Sequence, residues 1–123
     1  VKLVSLTVMA GTRGPQRATM KLEVEGRVVT EEAEGNGPVD AVFNAIKAIV
    51  PHEAVLELYQ VHAVTEGTDA QAEVSVRLSQ EGSSVTGRGA DPDTLVSSAK
   101  AYLVALNKLV AKGGRLHSQA AAE

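Results

Sequence analysis

The sequence predicts an α+β domain made of two βββα units, in which helices pack on antiparallel sheets. Three observations lead to this prediction. Alternating apolar and polar residues mark strands, apolar residues at helical spacing mark two helices, and the whole pattern occurs twice along 123 residues. We expect one repeat at about residues 1–52, a second at 53–112, and a C-terminal tail at 113–123.

The strands of each repeat are organised around a Glu-Gly pair. Residues 18–26 and 73–82 alternate apolar and polar side chains, as half-buried strands do, and the last two residues of each segment are Glu-Gly. Such a pair is typical of a hairpin turn. The alternation predicts that Val74 faces the core and Ser75 faces solvent. The remaining predicted strands are residues 3–10, 27–33, 55–64 and 83–88.

Each predicted helix follows a short loop rich in glycine and ending in proline. The loops are residues 35–38 (GNGP) and 89–92 (GADP), and the helices are expected over 38–50 and 92–112. Proline is favoured at the first helical position, where its missing N–H costs nothing, and Asp91 is a good N-cap candidate. The apolar stripes at helical spacing are Val39, Val42, Phe43, Ile46, Ile49 and Val50, and Leu95, Ala99, Tyr102, Leu103, Leu106, Leu109 and Val110.

Composition excludes several classes of function. Only one Phe and two Tyr occur and the net charge is −3, so neither stacking platforms nor a basic surface favours nucleic acid. There is no Cys, and the three His lack the spacing of a zinc site, so we expect no metal and no cofactor in this chain. Apolar stretches are too short to span a membrane, and we expect a cytoplasmic protein.

The two loops are candidate binding elements because helix N-termini present unpaired N–H groups to anions. Asp40 accompanies the first loop, and Asp91 and Asp93 accompany the second. Together, N–H donors and carboxylates suit the two charged ends of an amino acid. The alternative is that both loops are plain strand-to-helix turns, with the aspartates acting only as caps.

Residues 63–72 are poor in bulky side chains, which would leave room for a branched aliphatic group beside Tyr59. Alternatively, these small residues let sheet and helix pack closely. Phe43 and Tyr102 fall on helix core stripes, so Tyr59 is the aromatic residue that we place at a ligand. Ser97 and Ser98 have no His nearby in sequence, and we predict no catalytic site.

Four segments resemble a known family: residues 35–41 (GNGPVDA), 59–65 (YQVHAVT), 67–74 (GTDAQAEV) and 98–109 (SAKAYLVALNKL). They are similar to the C-terminal allosteric domain of 2-isopropylmalate synthase, the first committed enzyme of leucine biosynthesis. Citramalate synthase shares a domain of this form. The resemblance covers about residues 3–110.

The resemblance implies a duplicated βββα domain that dimerises and binds leucine near the dimer interface, thereby inhibiting a separate TIM-barrel domain. That barrel carries the divalent metal and the acyltransferase chemistry with acetyl-CoA, so no catalytic residue is expected in this chain. Carried over by motif, the residues implied to contact leucine are Asn36, Gly37, Val39, Asp40, Tyr59, Ala63, Ala70, Ala72, Asp91 and Pro92.

The expected function is therefore feedback inhibition of leucine biosynthesis through L-leucine binding, with a second copy of the chain and the catalytic barrel as partners. Three alternatives stay open from the sequence. The domain could sense isoleucine as part of a citramalate synthase. It could be a purely structural dimerisation module. It could also be a small enzyme that uses the Asp-rich loops.

Overall fold

The computed structural model describes residues 1–66 and 69–112, and the predicted tail at 113–123 lies outside that part. Three strands followed by a helix occur twice, which confirms the α+β fold of repeated βββα units. The elements are β1 (Lys2–Met9), β2 (Gln16–Val24), β3 (Arg27–Gly35), α1 (Pro38–Ile49), β4 (Val55–Glu66), β5 (Asp69–Gln80), β6 (Ser83–Asp91) and α2 (Thr94–Ala111).

The described chain forms two compact units, which we call unit 1 (Val1–His52) and unit 2 (from Glu53 onward). Each unit has one antiparallel sheet of three strands in sequence order, β1-β2-β3 in unit 1 and β4-β5-β6 in unit 2. In unit 1 the helix packs mainly on β3 and β2, and in unit 2 mainly on β6 and β5.

The two Glu-Gly pairs form the predicted hairpin turns. Glu25 and Gly26 have φ of 50° and 80°, and Glu81 and Gly82 have φ of 52° and 81°. Two consecutive residues with positive φ characterise the type I′ turn, whose twist matches that of the flanking strands. Glycine tolerates this conformation at no steric cost, which explains its place in both turns.

The strands of the two units share the same register. The first strand of each unit carries a bulge, between Leu3 and Ser5 in β1 and between Leu56 and Leu58 in β4. Beyond the bulge, each residue of β4 lies 53 positions after its counterpart in β1. Its pairing partner in β5 lies 56 positions after the partner of that counterpart in β2. The repeat seen in the sequence is therefore a repeat of backbone pairing, and it defines equivalent positions in the two units.

Each core lies between one sheet and its helix, as the alternation and the helical stripes predict. The buried core residues on the sheets are Ala18, Met20, Leu22, Val24, Val74, Val76, Leu78 and Val85. Those of the predicted helix stripes are Val42, Phe43, Ile46, Ile49, Val50, Ala99, Tyr102, Leu103, Leu106 and Leu109. Val39 and Leu95, in the first turns of the helices, are half-buried.

Two burial predictions are wrong. Val110 was expected in the core, but 41% of it is exposed, because Leu109 already takes the buried position of this last turn of α2. Ser75 was expected to face solvent, but only 8% of it is exposed. It is a short side chain on the central strand, flanked in register by Gln60 and Arg88.

The described residues contain neither a membrane-spanning helix nor a cluster of side chains that could hold a metal ion. No helix within residues 1–66 and 69–112 is long and apolar enough to cross a bilayer. In the same residues, no three His, Asp or Glu side chains lie close enough together to hold a metal ion.

Candidate functional site

The predicted residues of unit 1 lie together where β3 ends and α1 begins. Gly37 is the N-cap, with an extended backbone (φ −155°) and no side chain to bond the helix, and Pro38 follows at the first helical position as predicted. Ala41 N donates to Gly37 O over 3.0 Å. By helix geometry, the N–H groups of Val39 and Asp40 have no intrahelical acceptor, so this end of α1 attracts an anion.

Asp40 lies in the first turn of α1 and closes the loop before it. Its Oδ2 accepts a hydrogen bond from Asn36 N over 2.9 Å, and both residues are exposed. A carboxylate in this turn also complements the positive end of the helix dipole. The position of Asp40 therefore fits the expected dipole-complementing role, and its role as an effector contact stays a prediction.

Gly35 is the last residue of β3 rather than a loop residue, and it lies directly against α1. A Cβ at this position would collide with the backbone of Asp40 and Ala41. Gly89 behaves in the same way in unit 2, where it belongs to β6 and a Cβ would lie 2.5 Å from Ser97 O. The sequence placed both glycines in loops, whereas the structure uses them to bring helix and sheet backbones together.

The start of α2 differs from the prediction by two residues. Asp93, not Asp91, is the N-cap, and its Oδ1 accepts from Leu95 N (2.7 Å) and Val96 N (3.2 Å). Pro92 therefore precedes the cap instead of opening the helix. The physical reason is that Asp91 is still extended in β6, where it pairs with Ala72, so its carboxylate cannot reach the first helical N–H groups.

The carboxylate of Asp91 is held by two donors of its own unit. Oδ1 accepts from Asp93 N over 2.9 Å, and Oδ2 accepts from Lys100 Nζ over 3.0 Å. The bond from Asp93 N and then the one from Lys100 hold the pKa of this carboxyl below its ordinary value. An ammonium group that approached Asp91 would have to compete with Lys100.

The predicted residues of β4 and β5 are brought near one another by strand register. Ala63 pairs with Ala72, and Thr65 pairs with Ala70. The side chains of Ala63 and Ala70 lie outside the described residues. The carbonyl of Ala72 accepts a 2.6 Å hydrogen bond from Ser97 Oγ, which ties α2 to the central strand.

Tyr59 is half-buried in β4, and its hydroxyl lies 2.8 Å from Ser98 Oγ of α2. The sequence singled out Tyr59 but gave no role to Ser98, which is fully buried. Aligning the two repeats position by position would have marked Ser98, though not its contact with Tyr59, because Ser98 is a polar residue where the first helix has apolar Val42.

A cleft of about 610 Å³ lies elsewhere in unit 1, at the turn between β1 and β2. It is lined by residues 8–11, 13–15, Arg17 and Glu34, which include none of the predicted site residues. Arg17 lies 2.7 Å from Glu34 and 3.1 Å from Glu32, so the charges at this cleft largely neutralise one another. We do not place the functional site there.

Comparison with known proteins connects these features to a family. The model of the LeuA allosteric (dimerisation) domain matches residues 1–110. The chain belongs to this family. Because the match spans both units, the LeuA allosteric domain is formed by the pair of βββα repeats and not by either repeat alone.

Three similar curated relatives of this LeuA allosteric domain are 2-isopropylmalate synthases. The 2-isopropylmalate synthases of Methylobacterium nodulans and Methylorubrum populi are 77% and 78% identical over 122 residues, which is 99% of this chain and 24% of each relative. The 2-isopropylmalate synthase of Rhodopseudomonas palustris (strain TIE-1) is 79% identical over 115 residues, 94% of this chain and 22% of the relative. The chain spans about a quarter of the length of these proteins.

Proposed function

We propose that the chain is the leucine-sensing allosteric domain of a 2-isopropylmalate synthase, and that bound L-leucine inhibits that enzyme. The observation that carries the proposal is the family match over residues 1–110, joined by relatives of that name at 77–79% identity. In this proposal the acyl transfer and its divalent metal belong to a separate catalytic domain. The proposed partners are L-leucine, a second copy of the chain and that catalytic domain.

The geometry at the start of α1 supports an amino acid as the effector. The N–H groups of Val39 and Asp40 suit a carboxylate, and Gly37 leaves open space beside them, since a Cβ there would meet nothing within 4 Å. The exposed carboxylate of Asp40 suits an ammonium group. In unit 2, the proposed contacts are Tyr59, Ala63, Ala70, Ala72, Asp91 and Pro92.

Thermal unfolding with added amino acids tests the proposal and separates its alternatives. A ligand that binds only the folded chain stabilises it by about 2.7 kcal/mol at a hundredfold excess over its dissociation constant. We expect leucine to raise the melting temperature more than isoleucine, valine or lysine at equal concentration. A larger response to isoleucine would favour the citramalate synthase alternative. No response to any of the four would favour a purely structural dimerisation module.

Replacing Gly37 with Asp should remove the leucine response and leave the fold intact. The backbone at Gly37 is extended and its surroundings are open, so a side chain is tolerated, and Asp is a favourable N-cap. Its negative charge, however, would occupy the proposed carboxylate site. Leucine titration of the variant, followed by thermal unfolding, measures the effect.

Gly37→Ala is the matched control, because it adds a Cβ without charge. It should retain most of the leucine response. If Gly37→Asp instead binds leucine as tightly as the unmodified chain, the assignment of this loop to the effector carboxylate is wrong.

A further inference from the structure

Asn36 is one of three asparagines in the chain, and it alone is followed by glycine. It is exposed, and it lies in the short link between β3, which ends at Gly35, and α1, which begins at Pro38. Glycine has no Cβ, so the backbone nitrogen of Gly37 is open to close approach by the side chain that precedes it. The link therefore places an exposed side-chain amide next to the backbone nitrogen that is least shielded.

The hydrogen bonds of the fold do not hold the two groups that would react. Asn36 bonds to Asp40 Oδ2 through its backbone N, and its side-chain amide takes no part in that contact. The N–H of Gly37 lies past the ladder that β3 makes with β2 and before the first bond of α1, which Ala41 N makes. In the part of the chain that the structure describes, neither the Asn36 amide nor the Gly37 N–H has a hydrogen-bond partner.

Asn44 has the opposite environment in the same unit. It lies within α1, and its Nδ2 donates to Glu34 O over 2.9 Å. The backbone N–H of the next residue, Ala45, is used in the helix, because each helical N–H donates to the carbonyl four residues before it. A reaction between these two groups would have to break both bonds. Asn44 is therefore an internal comparison for Asn36.

We propose that Asn36 is a deamidation site. The backbone nitrogen of Gly37 attacks the side-chain carbonyl carbon of Asn36, the Cγ–Nδ2 bond breaks, and ammonia leaves with the proton of the attacking N–H. Water then opens the succinimide ring that has formed. Opening at the new bond gives aspartate, and opening at the backbone carbonyl gives isoaspartate, whose main chain runs through its Cβ. Both products carry a carboxylate in place of a neutral amide.

Deamidation would change the charge at the proposed effector loop, and this consequence rests on the proposed function. The new carboxylate would lie at the start of α1, where the carboxylate of leucine is proposed to bind. The positive end of a helix attracts either anion, so the two would compete. Isoaspartate would also lengthen the main chain beside the contact of Asn36 N with Asp40. A deamidated chain should therefore respond less to leucine.

Incubation of the 123-residue chain at pH 7 and pH 9, followed by peptide mass mapping, tests the modification. The peptide that contains Asn36 should gain the mass difference between an amide and an acid, and faster at pH 9, because the attacking nitrogen must lose its proton. An isoaspartyl methyltransferase, used as a reagent, should label the same peptide. Conversion at Asn36 that is no faster than at Asn44 would overturn the proposal.

Gly37→Ala is the matched control for the reaction. The added Cβ would meet nothing within 4 Å in the folded chain, but it shields the attacking nitrogen, so most of the conversion should be lost. Thermal unfolding confirms that the variant is folded during the incubation. Equally fast conversion in folded Gly37→Ala would contradict attack by this nitrogen and overturn the proposal.

Leucine titration of Asn36→Asp, with Asn36→Gln as the neutral control, tests the consequence separately. The Asp variant should bind leucine about 2- to 5-fold more weakly than the Gln variant. Equal binding by the two variants would overturn the stated effect on the effector and leave the modification standing. Absence of leucine binding by the unmodified chain would overturn the proposed function, whereas the conversion of Asn36 is measured without leucine.

Discussion

Two aspartates at the start of α2 lie two residues apart and perform different tasks. Asp91 ends β6 and accepts hydrogen bonds from Asp93 N and Lys100 Nζ, whereas Asp93 caps the helix through Leu95 N and Val96 N. The side chains are chemically identical, so the difference comes from their positions in the chain. Asp91 still pairs with Ala72 in β6, whereas Asp93 lies directly before the first residue of α2 and its carboxylate accepts from the first N–H groups of the helix.

Replacing Asp93 with Ala should lower the free energy of unfolding by about 1 kcal/mol, the usual cost of losing an N-cap side chain. Two backbone N–H groups would then lose their acceptor. Urea unfolding at neutral pH measures the change, and Asp93→Asn, which can still accept, is the control that should retain most of the stability. A loss from Asp93→Asn as large as that from Asp93→Ala would contradict the cap assignment.

Tyr102 gives the chain a dependence on alkaline pH. Burial raises the pKa of this phenol to about 12, because the charged form is poorly solvated in the core. The folded state thus favours the protonated phenol, so the contribution is complete below the unfolded pKa of about 10 and is lost as pH rises to about 12. The loss should be about 3 kcal/mol.

Urea unfolding between pH 9 and 12 measures this effect, with Tyr102→Phe as the comparison. The phenylalanine variant should lose less stability over this range than the unmodified chain, because it has no proton to release at this position. If the free energy of unfolding fell equally with pH in the two proteins, the pKa of Tyr102 in the folded state would be its ordinary one, and the prediction would be wrong.

At the scale of elements, unit 2 depends on how closely α2 lies on β6. A Cβ on Gly87 would collide with Ala101 O and Ala105 N, and one on Gly89 would lie 2.7 Å from Ala101 N. Backbone atoms of a helix cannot yield individually, so the whole helix would have to move. Small residues on both elements therefore set the distance between helix and sheet.

Gly87→Ala should destabilise the chain by about 1–3 kcal/mol, the range seen when atoms are forced into a packed core. The control is Gly37→Ala, whose Cβ would meet nothing within 4 Å; because Ala is a poorer N-cap than Gly, we expect a loss of about 0.5–1 kcal/mol, smaller than that of Gly87→Ala. Chemical denaturation of both variants provides the comparison. Equal losses of stability in the two variants would mean that Gly87 is not needed for the close approach of α2 to β6.

The order of elements could be predicted from the sequence because its signals are local. Alternation, the Glu-Gly turns and the stripe of α1 each depend on neighbours within a few residues. The start of α2 could not be predicted in this way, because Asp91 and Asp93 are both acceptable N-caps and only the length of β6 decides between them. Contacts such as Tyr59 with Ser98 join residues 39 positions apart, which a local pattern does not encode.

The candidate site was predictable to a different degree in each unit. Asn36, Gly37, Val39 and Asp40 are contiguous, so the sequence alone placed them together, and the structure gives Asp40 the contact with Asn36 N. That the ten residues named in the sequence analysis contact leucine remains a prediction. In unit 2 the competition of Lys100 for Asp91 was not visible, because Lys100 reaches back across two turns of helix.

At the scale of the whole molecule, the family match over both units assigns the chain to an allosteric and dimerisation domain. Several apolar side chains stay exposed on the strands, including Val28 (59%) and Val55 (64%). We propose that the chain is a homodimer. Sedimentation equilibrium should then give about twice the chain mass of 12.8 kDa. A mass of one chain across the accessible concentration range would contradict the dimer.

The central claim is that this domain binds leucine in preference to other amino acids. Isothermal titration calorimetry of the unmodified chain, with leucine and isoleucine in separate experiments, tests it most directly. We predict saturable heat with leucine and a dissociation constant clearly lower than that for isoleucine. Tighter binding of isoleucine, or no heat with either amino acid, would contradict the claim.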